Sequence, residues 1–151
     1  SQERELVEET MYLDNDSAGI QAAARRGMWS LHALLLVLLG GALWRAFGLP
    51  WAAGTLAWLA LEPTVGAHLP VVMTDLPLAL TLGLAAITAG LLASQWRWGW
   101  ALACGASVGL ALGSKHSALA GVAGIAAVLA LAALAGFRSG GWRQFAKRSA
   151  Q

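Results

Sequence analysis

Residues 76–94, LPLALTLGLAAITAGLLAS, decide how this chain is read. They contain no charged side chain. As a helix rising 1.5 Å per residue they cover about 28 Å, close to the ~30 Å hydrocarbon core of a bilayer. Nothing in them alternates with a period of two, so neither a half-buried strand nor a barrel wall fits. Thr74-Asp75 stands before the run, a good helix start, and Pro77 falls in the first turn, where its missing N–H breaks no helical bond.

Four more apolar runs flank this one. Upstream lie Gly27–Phe47 and Pro50–Leu69, the latter interrupted by Glu62-Pro63. Downstream lie Trp98–Gly113, short and rich in glycine, and Leu119–Phe137. Polar residues punctuate the runs at Arg45, at Gln95-Trp96-Arg97, at Ser114-Lys115-His116 and at Arg138-Ser139-Gly140-Gly141. With no water in the bilayer core to satisfy backbone groups, helices and closed barrels are the spanning solutions, and the barrel is excluded here. The expected fold is all-α, a polytopic transmembrane helix bundle of about five spans. Residues 1–26 form an extracytoplasmic loop with a short juxtamembrane helix from Ser17 to Arg26. Residues 27–137 form the bundle, and 138–151 a basic cytoplasmic segment whose Trp142, Arg143, Phe145, Lys147 and Arg148 suit acidic headgroups.

Composition agrees. Of 151 residues, 58% are hydrophobic and 12% charged, against about 25% charged in a soluble domain. Eight Trp and 18 Gly fit interfacial anchors and close helix contacts. A net charge of +2 with scattered basic residues excludes a nucleic-acid partner. Cys104 is the one cysteine, so the chain holds no internal disulfide or Cys-based metal site. The first sixteen residues carry Glu3, Glu5, Glu8, Glu9, Asp14 and Asp16, the opposite of a secretory leader. Beginning at Ser1 without Met, the chain reads as an internal piece of a longer membrane protein.

Alternating five spans puts Arg45, Arg97, Arg138, Arg143, Lys147 and Arg148 on one side, and Arg4, Arg25, Arg26 and Lys115 on the other with the acidic residues. The first side is therefore cytoplasmic. Glu62, His68, Asp75, Lys115 and His116 then gather at the outer helix ends, delivered by different connections. Ionisable groups at membrane depth cost roughly 2.5–3.5 kcal/mol each on insertion scales and mark function by default. A carboxylate there accepts a proton from an attacking hydroxyl or holds a divalent cation, and an ammonium neutralises phosphate. Plainer roles compete: Asp75 as a helix cap, Glu62-Pro63 as a satisfied break, His68 as a loop residue, Lys115-His116 as headgroup contacts. His32, alone among leucines, reads as a packed or backbone-bonded histidine.

These residues carry a resemblance. Leu61-Glu62-Pro63-Thr64-Val65-Gly66-Ala67-His68 followed by Val72-Met73-Thr74-Asp75-Leu76-Pro77 resembles the acid-Pro…Ala-His…Thr-Asp-x-Pro signature of the dolichyl-phosphate-mannose–protein mannosyltransferase-like glycosyltransferases. Gly109-Leu110-Ala111-Leu112-Gly113-Ser114-Lys115-His116-Ser117-Ala118-Leu119 is similar to a second segment of that family, and Asn15-Asp16-Ser17…Arg25-Arg26-Gly27-Met28 to a third. The three stand in the family's order and cover residues 11 to 138. The resemblance implies a GT-C fold in the cell membrane. It further implies transfer of a sugar from a polyprenyl-phosphate donor to a protein or lipid hydroxyl on the extracytoplasmic face. Asp75 takes the catalytic position and Lys115 the donor phosphate, with His68, Glu62 and His116 as further substrate-binding positions. His116 stands where the family has Tyr or Phe. The family's outer-loop Asp-Glu pair, bearing the likely general base, has no match here, so the expected piece lacks that base. A divalent metal on Asp75 stays open. So do two other classes, a transporter or lipid flippase and a non-catalytic membrane assembly subunit.

Overall fold

The computed structural model describes the backbone of residues 2–12 and 16–149, and the side chains of 3–10 and 16–136. Among the described residues there are seven helices and no strand. They are α1 (Gln2–Tyr12), α2 (Ser17–Phe47), α3 (Leu49–Leu61), α4 (Pro63–His68), α5 (Asp75–Gln95), α6 (Trp98–Ser114) and α7 (Ala118–Ser149). The side chains of the expected basic anchor, Trp142 to Arg148, lie outside the described residues.

α2 begins where Asp16 Oδ1 accepts the Gly19 N–H at 3.0 Å. It then runs unbroken for 31 residues, joining the expected surface helix and the first expected span into one rod. Arg25-Arg26-Gly27 marks a change of polarity there, not of backbone. Gly48 ends it at φ +90°, a conformation that only glycine adopts freely, and Pro50 starts α3. α3 folds back onto α2 near Gly40, where an added Cβ would lie 2.7 Å from Leu56 Cδ1.

The second expected span is two helices. Pro63 cannot continue α3, so the chain breaks at Glu62 and restarts as the six-residue α4. An irregular connection, 69–74, leads into α5. That helix is the hub of the fold, packing on α2, α6 and α7. Its buried residues, Pro77, Leu80, Thr81, Leu84, Ala85, Thr88, Ala89 and Leu91, recur at three- and four-residue spacing along one broad face. Leu80 and Leu84 meet Leu35, Leu39, Ala42 and Leu43 of α2 and Ala52 of α3 in the main core. The buried Thr81 and Thr88 hydroxyls donate to the carbonyls of Pro77 and Leu84, both at 2.7 Å, so they need no partner from another helix.

α5 and α6 form an antiparallel hairpin, turned by Trp96 in the left-handed region (φ 47°, ψ 46°). Three pairs mark its register. Trp100 Nε1–H donates to Gln95 Oε1 at 3.0 Å near the turn, Cys104 Sγ lies 3.9 Å from the Ala85 carbonyl midway, and Lys115 meets Asp75 at the open end.

Three helical stretches are long and apolar enough to cross a membrane: Ser17–Phe47, Asp75–Gln95 and Ala118–Gly136. α3 and α6 are shorter, at 13 and 17 residues. Large apolar side chains face outward on several helices, among them Val37 at 70% exposure, Leu102 at 72% and Leu131 at 65%. A surface that apolar is matched to lipid, not water.

Candidate functional site

Asp75 and Lys115 are brought together. Thr74 is the residue that caps α5, without a side-chain hydrogen bond, and Asp75 is the first helical residue. Its carboxylate is therefore not spent on capping. Lys115 terminates α6 in extended conformation, its own N–H donating to the Ala111 carbonyl, which turns its side chain back toward the start of α5. Lys115 Nζ donates to Asp75 Oδ1 at 2.6 Å, and both side chains remain about half exposed. Their sequence separation of 40 residues is bridged by the α5–α6 hairpin.

Glu62 is committed locally. Its Oε2 accepts the Val65 N–H at 2.8 Å and its Oε1 the Thr64 hydroxyl at 3.0 Å, so it caps the start of α4. His68 likewise turns inward on its own helix, Nδ1 lying 2.6 Å from the Thr64 carbonyl and so donating to it. His116 sits in the turn between α6 and α7, exposed, and its ring has no partner among the described residues. The structure thus joins Asp75 to Lys115, and places Glu62 and His68 at the two ends of α4, each bonded to Thr64.

His32 is the residue whose contact the sequence could not specify. Its ring is fully buried, and Nδ1 donates to the Leu69 carbonyl at 2.9 Å, 37 positions along the chain. Nε2 has no hydrogen-bond partner. A packed, backbone-bonded histidine was readable from its leucine surroundings, but not which carbonyl it meets.

Among the described residues, no three His, Cys, Asp or Glu side chains gather in a way that holds a metal ion. Chemically, the Asp75–Lys115 pair offers an anion acceptor and a carboxylate base within one hydrogen bond of each other.

No protein-family model, curated protein or solved structure matches this chain.

Proposed function

We propose that this chain belongs to a GT-C membrane glycosyltransferase, which transfers a sugar from a polyprenyl-phosphate donor to a protein or lipid hydroxyl on the extracytoplasmic side. The observation that carries the reading is the Asp75–Lys115 pair, closed at 2.6 Å between the ends of two different helices. An exposed pair of this kind is worth only about 0.2–1 kcal/mol. It is cheap to open, so a donor phosphate arriving at Lys115 competes readily for the ammonium through charge-assisted hydrogen bonds. Asp75 is then released to orient the acceptor hydroxyl, to hold a divalent cation, or to position the general base of the family's outer loop, which takes the hydroxyl proton. The donor leaves as polyprenyl phosphate, its new charge neutralised by Lys115.

The five-span arrangement belongs to the same proposal. His32 lies sixteen positions before Gly48, about 24 Å along α2 at 1.5 Å per residue. Leu69 is bonded to His32, so α3 and α4 together carry the chain back over that distance. α6 is paired to α5 at both ends and midway, which supports a second crossing beside the first. With Arg45 and Arg97 at one end and Asp75 with Lys115 at the other, the positive-inside rule turns the candidate site outward.

The test is a transfer assay in membranes carrying the complete reading frame, with polyprenyl-phosphate sugars, with and without chelator. Transfer lost in Asp75→Asn and weakened in Lys115→Met, with both proteins inserted normally, supports the proposal. Wild-type turnover by Asp75→Asn overturns the role of Asp75. Loss of activity on chelation assigns a metal to the site.

A further inference from the structure

We infer that His32 is a positioning residue for the proposed site: by donating from Nδ1 to the Leu69 carbonyl, it anchors the 69–74 connection to α2 and so fixes where α5 presents Asp75 to Lys115. This rests on the glycosyltransferase reading for its consequence, but the anchor itself is a structural claim.

Leu69 is the residue at which α4 stops. Carbonyls at a helix end have no intrahelical N–H to accept from, and Pro70, next in the chain, brings none. The His32 ring reaches that carbonyl from another helix at 2.9 Å. A carbonyl only accepts, so Nδ1 carries the proton, and in the neutral ring Nε2 is left as an acceptor. That Nε2 is buried without a partner. Burying an unsatisfied acceptor is a cost that a leucine in the same place would not carry. What histidine supplies in return is the Nδ1 donor.

Little else holds the connection. Its other hydrogen bonds are local: Leu69 N–H to the Val65 carbonyl and Val71 N–H to the His68 carbonyl, both at 3.1 Å, and Leu78 N–H to the Thr74 carbonyl at 3.0 Å. Val71, Val72 and Thr74 are exposed. Among the described residues, His32 makes the one hydrogen bond offered to 69–74 by a distant part of the chain. Beyond the connection, buried Pro77 and partly buried Leu76 hold the first turn of α5 against the core. Asp75 is therefore set between two fixed points, the Leu69 carbonyl and the Pro77 ring. Releasing the first lets the helix start fray and the carboxylate wander from Lys115.

The experiment uses the full chain in proteoliposomes, with Cys104→Ser as background and nitroxides on Val72→Cys and Leu119→Cys, both exposed in the structure. His32→Asn places an amide N–H where Nδ1 stood and has no counterpart of Nε2. His32→Leu fills the space without a donor. The expected result is a narrow interspin distance distribution in the parent and in His32→Asn, and a broad one in His32→Leu. In the transfer assay His32→Leu loses roughly 10- to 100-fold in kcat, with KM within about 2-fold, because a displaced catalytic group costs rate before it costs binding. His32→Asn stays within about 3-fold of the parent. Should His32→Leu fail to insert, His32→Gln, whose amide falls at the Nε2 position, takes its place with the same expected loss. An unchanged distribution in the donorless variant overturns the anchor, and so does a His32→Asn protein as broad as His32→Leu, since ring volume would then be the cause. The expected distributions in a protein that transfers no sugar would uphold the anchor and sink the transferase reading.

Discussion

The half-exposed Asp75–Lys115 pair contributes too little to stability for that alone to explain it, and exchanging its charges separates the two roles. A double variant, Asp75→Lys with Lys115→Asp, keeps an ion pair at the same helix ends. It should insert and unfold like the parent, within about 1 kcal/mol, and under the proposed function transfer should stay at least ~10²-fold down, because the carboxylate and the phosphate partner would face the wrong reactants. Recovery of transfer in the swapped protein would make the pair a structural clasp. Glu62 gives the contrasting case, a carboxylate whose partners are all local. The sequence identified Asp75 and Lys115 by type and by parity of spans. It could not show that they touch, because hydropathy carries no information on how a helix is rotated about its axis.

Helix boundaries were legible where the backbone itself is constrained. Pro77 and the Thr74-Asp75 start set α5, and Glu62-Pro63 splits the chain between α3 and α4. They were illegible where only polarity changes, as at Arg25-Arg26-Gly27, because a helix passes from water to lipid without altering its hydrogen bonds. The His32–Leu69 contact was hidden for a related reason, since it depends on where α4 stops rather than on anything near His32. What the sequence also conceals is how closely α5 and α6 approach. Ala85 is wholly buried beside Cys104, and Ala89, Ser107 and Ala111 are buried along the same hairpin. Small side chains permit that approach, and helices in lipid depend on such packing because apolar burial alone drives little association there. Ala85→Leu should therefore cost about 1–3 kcal/mol through overpacking. Its exposed neighbour Ala86→Leu should change stability by less than about 0.5 kcal/mol. Chemical unfolding in mixed micelles reads both, and equal effects would place the contact elsewhere.

At the scale of the whole molecule, the hairpin register decides how many times the chain crosses. Three stretches qualify as spans by length and apolarity, and on those alone α2, α5 and α7 would alternate, with α3 and α6 lying on either surface. That arrangement strands Val72 and Ser117 on opposite sides, since one precedes α5 and the other follows it. The geometry argues otherwise. α6 is tied to α5 at Gln95–Trp100, beside Ala85 at Cys104, and at Asp75–Lys115, so it accompanies α5 from one end to the other. In the proposed five-span arrangement a bilayer crossed by α5 is crossed by α6 as well; α6, at about 25 Å, is shorter than the hydrocarbon core, and local thinning would accommodate the difference at modest cost. In the same proposal the α3–α4 pair makes the matching return beside α2. Cysteines substituted singly at Val72 and Ser117 should thus label with a membrane-impermeant maleimide from the same side, and cysteines at Leu49 and Trp98 from the other, all in a Cys104→Ser background. In the proposed orientation, Arg45 and Arg97 put the second pair on the cytoplasmic side. If Val72 and Ser117 labelled from opposite faces, α6 would not cross, the ion pair would not form in the membrane, and the outward-facing site would be lost with it.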